Sequence, residues 1–267
     1  MNSIFNHIED KWLQKLYNYV KAEFKKLWLP SHDETHHYRV WQYCKALTGE
    51  LQQNGYPFNI QKMEQLIIAV FFHDVGLTRT LDPAHGIESR NICRDFLKNF
   101  PHLQEDFINP VLNAIEKHDD KSYINLISDD VEKNADLQAI LAVSDDLDAL
   151  GPIGVFRYIE IYYQRQIPVN ELPSRIIENF DNRFSYFLWF CNSLGKFTRI
   201  HKNRYLYIKN FFAELDNQLK KGFHPNLMEG PTGVYNLIIK ETQENQIHFT
   251  ELPSRFRYQL TDGFCRR

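Results

Sequence analysis

The chain has 267 residues, 43% of them apolar, and a formal net charge of -3. That length admits one large domain or two small ones with a sizeable core. The charge gives no support for a nucleic-acid backbone as partner. No apolar stretch approaches membrane-spanning length, so neither a nucleic-acid polymer nor a membrane is an expected partner. The four cysteines, Cys44, Cys93, Cys191 and Cys265, lie far apart and form no C-x-x-C pair. They read as free thiols in a reducing compartment, three of them filling core space. No basic-then-apolar-then-small pattern opens the chain, and the cytoplasm is the expected location. The 20 Phe and 14 Tyr read as buried helix faces.

Helical periodicity dominates from the first residues onward. Ile4, Ile8, Trp12, Leu16, Val20, Phe24 and Leu27 recur at three- and four-residue spacing over 4–28, and Pro30 ends that helix. Ser31-x-x-Glu34 has the form of a capping box opening the next helix. There His36, Val40, Tyr43, Leu47 and Leu51 share one face, so His36 points inward. A helix over 60–74 follows the Gly55-Tyr56-Pro57 break, with Leu66, Ala69, Val70 and His73 on one stripe. A loop at Gly76–Pro83 leads to a helix starting near His85. The next helix, 104–119, puts Val111, Ala114, Ile115 and His118 together. Asp119–Asn134 reads as a long polar loop. Residues 135–150 form the helix bearing Asp145, 153–166 another, and 174–194 and 199–221 two long aromatic helices. The expected division is a helical core over 1–221 and a tail over 222–267 packed on it. In the tail, Val234–Lys240 and Gln246–Leu252 could pair as a small hairpin. The fold class is therefore all-α with a short irregular or hairpin tail.

His73-Asp74 carries the most chemical information. It ends the apolar run Leu66, Ile67, Ile68, Ala69, Val70, Phe71, Phe72 and is followed by Val75-Gly76. Burying an imidazole and a carboxylate side by side is costly unless something pairs with them. A divalent metal is an economical partner, since both donors suit Zn, Mn or Fe. Upstream stands Asp33-Glu34-Thr35-His36-His37-Tyr38-Arg39-Val40. Downstream are His85, His118 and Ser144-Asp145-Asp146-Leu147-Asp148-Ala149-Leu150-Gly151.

His36, His73-Asp74 and Asp145, in that order, resemble the ligand set of the HD-domain metal-dependent phosphohydrolases. His36-His37-Tyr38-Arg39-Val40 has that family's H-x-x-R-V form. The final element resembles the D-x-L-D-A-x-G stretch of one branch of small bacterial HD hydrolases, and Gly154 and Arg157 continue the likeness. The likeness spans roughly residues 30 to 215. It implies a helical bundle and a divalent metal (Mn, Fe or Zn, with Mg also allowed) held by His36, His73, Asp74 and Asp145. It also implies hydrolysis of a small phosphorylated molecule, a nucleotide being favoured, by pyrophosphohydrolysis or monophosphate release.

Asp74 and His118 are the residues expected to assist proton transfer. Histidines in the interval occupied by His85 and His118 bind a second metal or contact the phosphate in that family. His85, at a helix N-terminus, is placed where an oxyanion is favoured. The Lys often found a few residues after the His-Asp pair is absent, Leu77 and Thr78 standing there instead. Lys117, Arg79 and Arg90 are the cations available to neutralise phosphate. His37 faces away from His36 and reads as a surface residue or a hydrogen-bond partner of a ligand. Arg39 reads as an ion-pair partner, and Asp148 as a partner for Arg39 or Arg157. Two alternatives stay open: a di-iron oxygenase on the same scaffold, and a metal-stabilised sensor or interaction domain without catalysis.

Overall fold

Apolar spacing and capping groups account for most of the helix boundaries in the computed structural model, which describes residues 2–25, 27–82, 84–120 and 136–244. Helix α1 spans Asn2–Phe24 and buries Ile8, Trp12, Leu16, Val20 and Phe24, the stripe its periodicity predicts. Helix α2 spans Glu34–Gln53. Its cap is Asp33, whose carboxylate accepts from the Thr35 amide at 2.9 Å and the Thr35 hydroxyl at 2.6 Å. The Ser31 capping box is thus corrected: a carboxylate at the N-cap meets the first free amides. Ser31 instead donates through its amide and its hydroxyl to Glu160.

Helix α3, Ile60–Phe72, is capped by Asn59. Every residue from Leu66 to Phe72 is buried, which an all-round apolar sequence requires. The helix stops before the His-Asp pair, and the segment expected as a loop begins with a 3₁₀ turn, Val75–Thr78. Helices α4 (His85–Leu97), α5 (Glu105–Glu116) and α6 (Leu137–Asp148) follow. The Asp119–Asn134 loop lies largely outside the described residues, as does Cys265. Then come α7 (Gly151–Gln164), α8 (Leu172–Cys191), α9 (Gly195–Lys220) and α10 (Gly230–Glu244).

The fold is all-α, with no strand among the described residues. Val234–Lys240 lies in α10 and is not a strand. Tyr235, Ile238 and Thr242 are buried at helical spacing, and Gln218 anchors the helix start by accepting from the Thr232 amide and hydroxyl. Gln246–Leu252 lies outside the described residues. None of the described helices is long and apolar enough to cross a membrane.

Contacts divide the chain into two compact units. One holds the described residues of Met1–Leu27, His32–Leu147 and Phe190–Leu194; in it α3 packs against α1, α2 and α5. The other holds the described residues of Trp28–Ser31, Asp148–Trp189 and Gly195–Arg267. Its α9 packs against α7 and α10, and Phe184 stacks on Tyr205 with ring centres 4.0 Å apart. Cys44, Cys93 and Cys191 are buried, and burial pushes the Cys44 thiol up to about 12.

Candidate metal centre

Three helices of the first unit bring the expected donors together. His36 stands in the first turn of α2, His73 at the end of α3 and Asp145 on α6. All four donor residues are at most 4% exposed. The Nε2 atoms of His36 and His73 are 3.2 Å apart. Asp74 Oδ2 is 3.4 Å from each of them, and Asp145 Oδ1 is 3.6 Å from each. Metal–donor bonds of about 2.0–2.2 Å put neighbouring donors about 3.0–3.6 Å apart around one ion. The set therefore fits a divalent cation in spacing and in chemistry, with two imidazoles and two carboxylates.

A second cluster adjoins the first. Asp74 turns its other oxygen, Oδ1, toward His118 Nε2 at 3.1 Å and His85 Nε2 at 3.2 Å. The two imidazole nitrogens are 3.3 Å from each other. Asp74, His85 and His118 are all buried and could hold an ion of their own. Asp119 lies nearby, its Oδ2 3.6 Å from His85 and 3.7 Å from His118.

One local device orients three of the histidines. His73 Nδ1 donates to Val70 O at 2.7 Å, His85 Nδ1 to Asp82 O at 3.0 Å and His118 Nδ1 to Ile115 O at 2.8 Å. In each case the acceptor is the carbonyl three residues earlier. A carbonyl only accepts, so Nδ1 keeps a proton and Nε2 is the nitrogen that would meet a cation once any proton there is given up.

Two glycines let the second cluster close. A Cβ on Gly76 would fall 2.0 Å from the His85 carbonyl oxygen and 2.6 Å from the Ser89 amide. The Gly76 amide donates to Ser89 Oγ at 2.7 Å. A Cβ on Gly86 would fall 2.6 Å from the Glu116 carbonyl oxygen. The start of α4 can therefore press against the His-Asp turn on one side and the end of α5 on the other.

The charges are strongly coupled. Burial works to raise the Asp74 carboxyl. The His73 charge and the hydrogen bonds from His118, His36 and His85 outweigh it and hold the group well below the ordinary carboxylate value. Burial works to lower His118, but Asp119, Asp74 and Asp145 push it up to about 9. Concentrated negative charge facing imidazole nitrogens is what a cation site provides before the cation arrives.

The remaining expected residues fall in varied places. His37 is not on the surface: it is fully buried, because α2 packs against both α1 and α3 and so buries adjacent positions along its length. Burial, with His73 and His36 beside it, keeps His37 well below the ordinary histidine value. Arg39 donates to Thr35 Oγ1 at 3.0 Å. Asp148 pairs with Arg157 at 3.3 Å within the second unit. Arg79 lies 3.5 Å from Glu23, and Arg90 lies 3.2 Å from Glu116. Lys117, beside His118, is exposed. Sequence reasoning missed Asp119 and Ser89, although Asp119 is adjacent to His118 in the chain.

A family model described as HD domain matches residues 34–150, the segment from the start of α2 to just past α6 that contains every donor described above. No curated protein and no solved structure matches the chain.

Proposed function

We propose, from the premise that this chain belongs to the HD-domain superfamily of metal-dependent phosphohydrolases, that it hydrolyses a small phosphorylated molecule, a nucleotide being the favoured class. The observation that carries this reading is the Asp74 carboxylate. One oxygen faces His36 and His73, and the other faces His85 and His118. Such a carboxylate would offer one oxygen to each of two donor sets, and divalent ions held there would supply the Lewis acidity that displacement at phosphorus uses.

His36, His73, Asp74 and Asp145 would hold one divalent ion, and Asp74, His85 and His118 a second. When bound, a divalent ion supplies Lewis acidity toward a phosphoryl oxygen and lowers the pKa of a water molecule. The chain's own groups do the rest. Buried imidazoles and carboxylates exclude bulk water from the donor atoms. In the metal-free fold His118 holds a proton 3.1 Å from Asp74 Oδ1, which places it to serve as the acid toward a leaving oxygen, while His85 would contact phosphate. With both sets loaded, His85 and His118 become ligands instead. Lys117 and Arg79 are the cations flanking these segments that can meet the remaining phosphate charge.

The test joins metal analysis of the purified protein to a nucleotide hydrolysis screen with Mn, Mg, Fe, Co, Ni and Zn. Pyrophosphate or phosphate release that disappears in Asp74→Ala supports the proposal. Silence with every metal and every nucleotide overturns it and leaves the sensor reading. The convergence of His85 and His118 on Asp74 is also compatible with a di-iron oxygenase, which requires both histidines to bind metal. Iron near two atoms per chain, with oxygen consumption by the reduced protein and no hydrolysis, would assign that activity instead.

A further inference from the structure

His37 adjoins a proposed ligand in the chain yet belongs to neither donor set. It is fully buried among His36, His73, Phe24 and Phe71. Its Nδ1 lies 3.1 Å from the Val70 carbonyl oxygen. The same oxygen accepts from His73 Nδ1 at 2.7 Å. Since a carbonyl cannot donate, both rings carry their proton on Nδ1. Val70 lies in the last turn of α3, where carbonyls lack intrahelical partners and side-chain donors can fill the gap. The other nitrogen of His37, Nε2, is buried with no hydrogen-bond partner. An apolar side chain of similar volume would avoid that desolvation cost. Packing alone therefore does not explain a histidine here.

We propose that His37 is a positioning residue for the metal centre. Its Nδ1–H ties α2, which carries His36, to the end of α3, which carries His73 and Asp74, and fixes the Val70 carbonyl that orients the His73 ring. The inference rests on the metal-centre reading above and adds a residue that holds the two helices in register. The quantity it sets is the approach of His36 Nε2 to His73 Nε2, 3.2 Å. Losing the tie would leave every ligand present but their spacing less well fixed. Outer hydrogen bonds of this kind commonly change metal affinity by about 10–100-fold.

The experiment measures Mn²⁺ affinity by calorimetric titration of the metal-free 267-residue chain. Wild type is compared with His37→Leu and His37→Asn. Leucine fills the space without a donor. Asparagine places an amide nitrogen where histidine has Nδ1 and has nothing at Nε2. The expected result is Mn²⁺ affinity about 10–100-fold weaker in His37→Leu and largely recovered in His37→Asn. Metal-free melting temperatures run alongside, and the affinity loss in His37→Leu should exceed anything a parallel loss of folding explains. Should His37→Leu fail to fold, His37→Asn alone decides: near wild-type affinity supports the donor role, and about tenfold weaker binding overturns it. Wild-type affinity in His37→Leu also overturns it, as does equal weakening in both variants. Wild-type protein that binds no divalent ion overturns the proposed function as well, which separates the two failures.

Discussion

Asp74 and His118 are joined through the oxygen that Asp74 does not turn toward His36 and His73: Oδ1 lies 3.1 Å from His118 Nε2, while Oδ2 lies 3.4 Å from both of the other imidazoles. Asp74 is thus the one residue common to both donor sets. Its removal should have a different outcome from removal of any other donor. Loaded with Mn²⁺ and desalted, wild-type protein should retain roughly two ions per chain. His118→Ala and Asp145→Ala should each retain about one, and Asp74→Ala nearly none. Elemental analysis of the desalted proteins reads this directly. Asp74→Ala with as much metal as Asp145→Ala would show that the carboxylate does not bridge.

Much of this centre was legible in the chain, and the reasons are local. A seven-residue apolar run ending in His73-Asp74 can only be a buried segment with an ionisable tip, and α3 buries all of Leu66 to Phe72. The inward face of α2 placed His36 correctly. What was hidden depends on three-dimensional packing. Of the two readings of His37, a surface residue or a hydrogen-bond partner of a ligand, the burial excludes the first, because α1 and α3 cover α2 from two sides. Asp119 could not be weighed against other surface acids without knowing that the end of α5 faces the start of α4. Val234–Lys240 is helical rather than a strand because Gly230-Pro231 opens a helix, proline being tolerated in a first turn, where the sequence read the pair as turn punctuation. The repeated bond from His73, His85 and His118 to the carbonyl three residues back appears only once the backbone is folded. The spacing it exploits lies within single segments of chain.

The close approach at Gly76 gives the second prediction. An alanine there would put its Cβ 2.0 Å from the His85 carbonyl oxygen, backbone that cannot yield without moving the start of α4. Gly76→Ala should lower stability by about 1–3 kcal/mol or more, through overpacking. Moving α4 also carries His85 away from Asp74, so the ion held by the second set should be lost preferentially. Gly49 is the control. It lies within α2, and a Cβ there would meet nothing within 4 Å. Gly49→Ala should stabilise by about 0.5–1 kcal/mol, because alanine is the better helix residue. Denaturant melts of the two variants check both signs, and a destabilised Gly49→Ala with an unaffected Gly76→Ala would contradict the packing described.

Proton release should report the state of His118. In the metal-free fold the neighbouring carboxylates push this histidine from an ordinary 6.5 up to about 9, so it is protonated at neutral pH. A histidine must give up that proton to bind a metal through Nε2. Loading the second donor set near pH 7 should therefore release about one proton from His118, and affinity should rise by about tenfold per pH unit until the titration near pH 9 is complete. Stability of the metal-free protein runs the other way. A raised folded pKa gives a stabilisation fully present below 6.5 and lost as pH climbs through about 9. Asp74, depressed by the same contacts, stabilises above its ordinary carboxylate value and loses that contribution only as acid is added. Alkaline pH thus weakens the empty fold while favouring the loaded one, and the metal-induced rise in melting temperature should grow between pH 7 and pH 9. Calorimetric titration with Mn²⁺ in two buffers of different ionisation enthalpy counts the protons. His118→Gln should release about one fewer than wild type; equal release from both proteins would remove His118 from the second donor set.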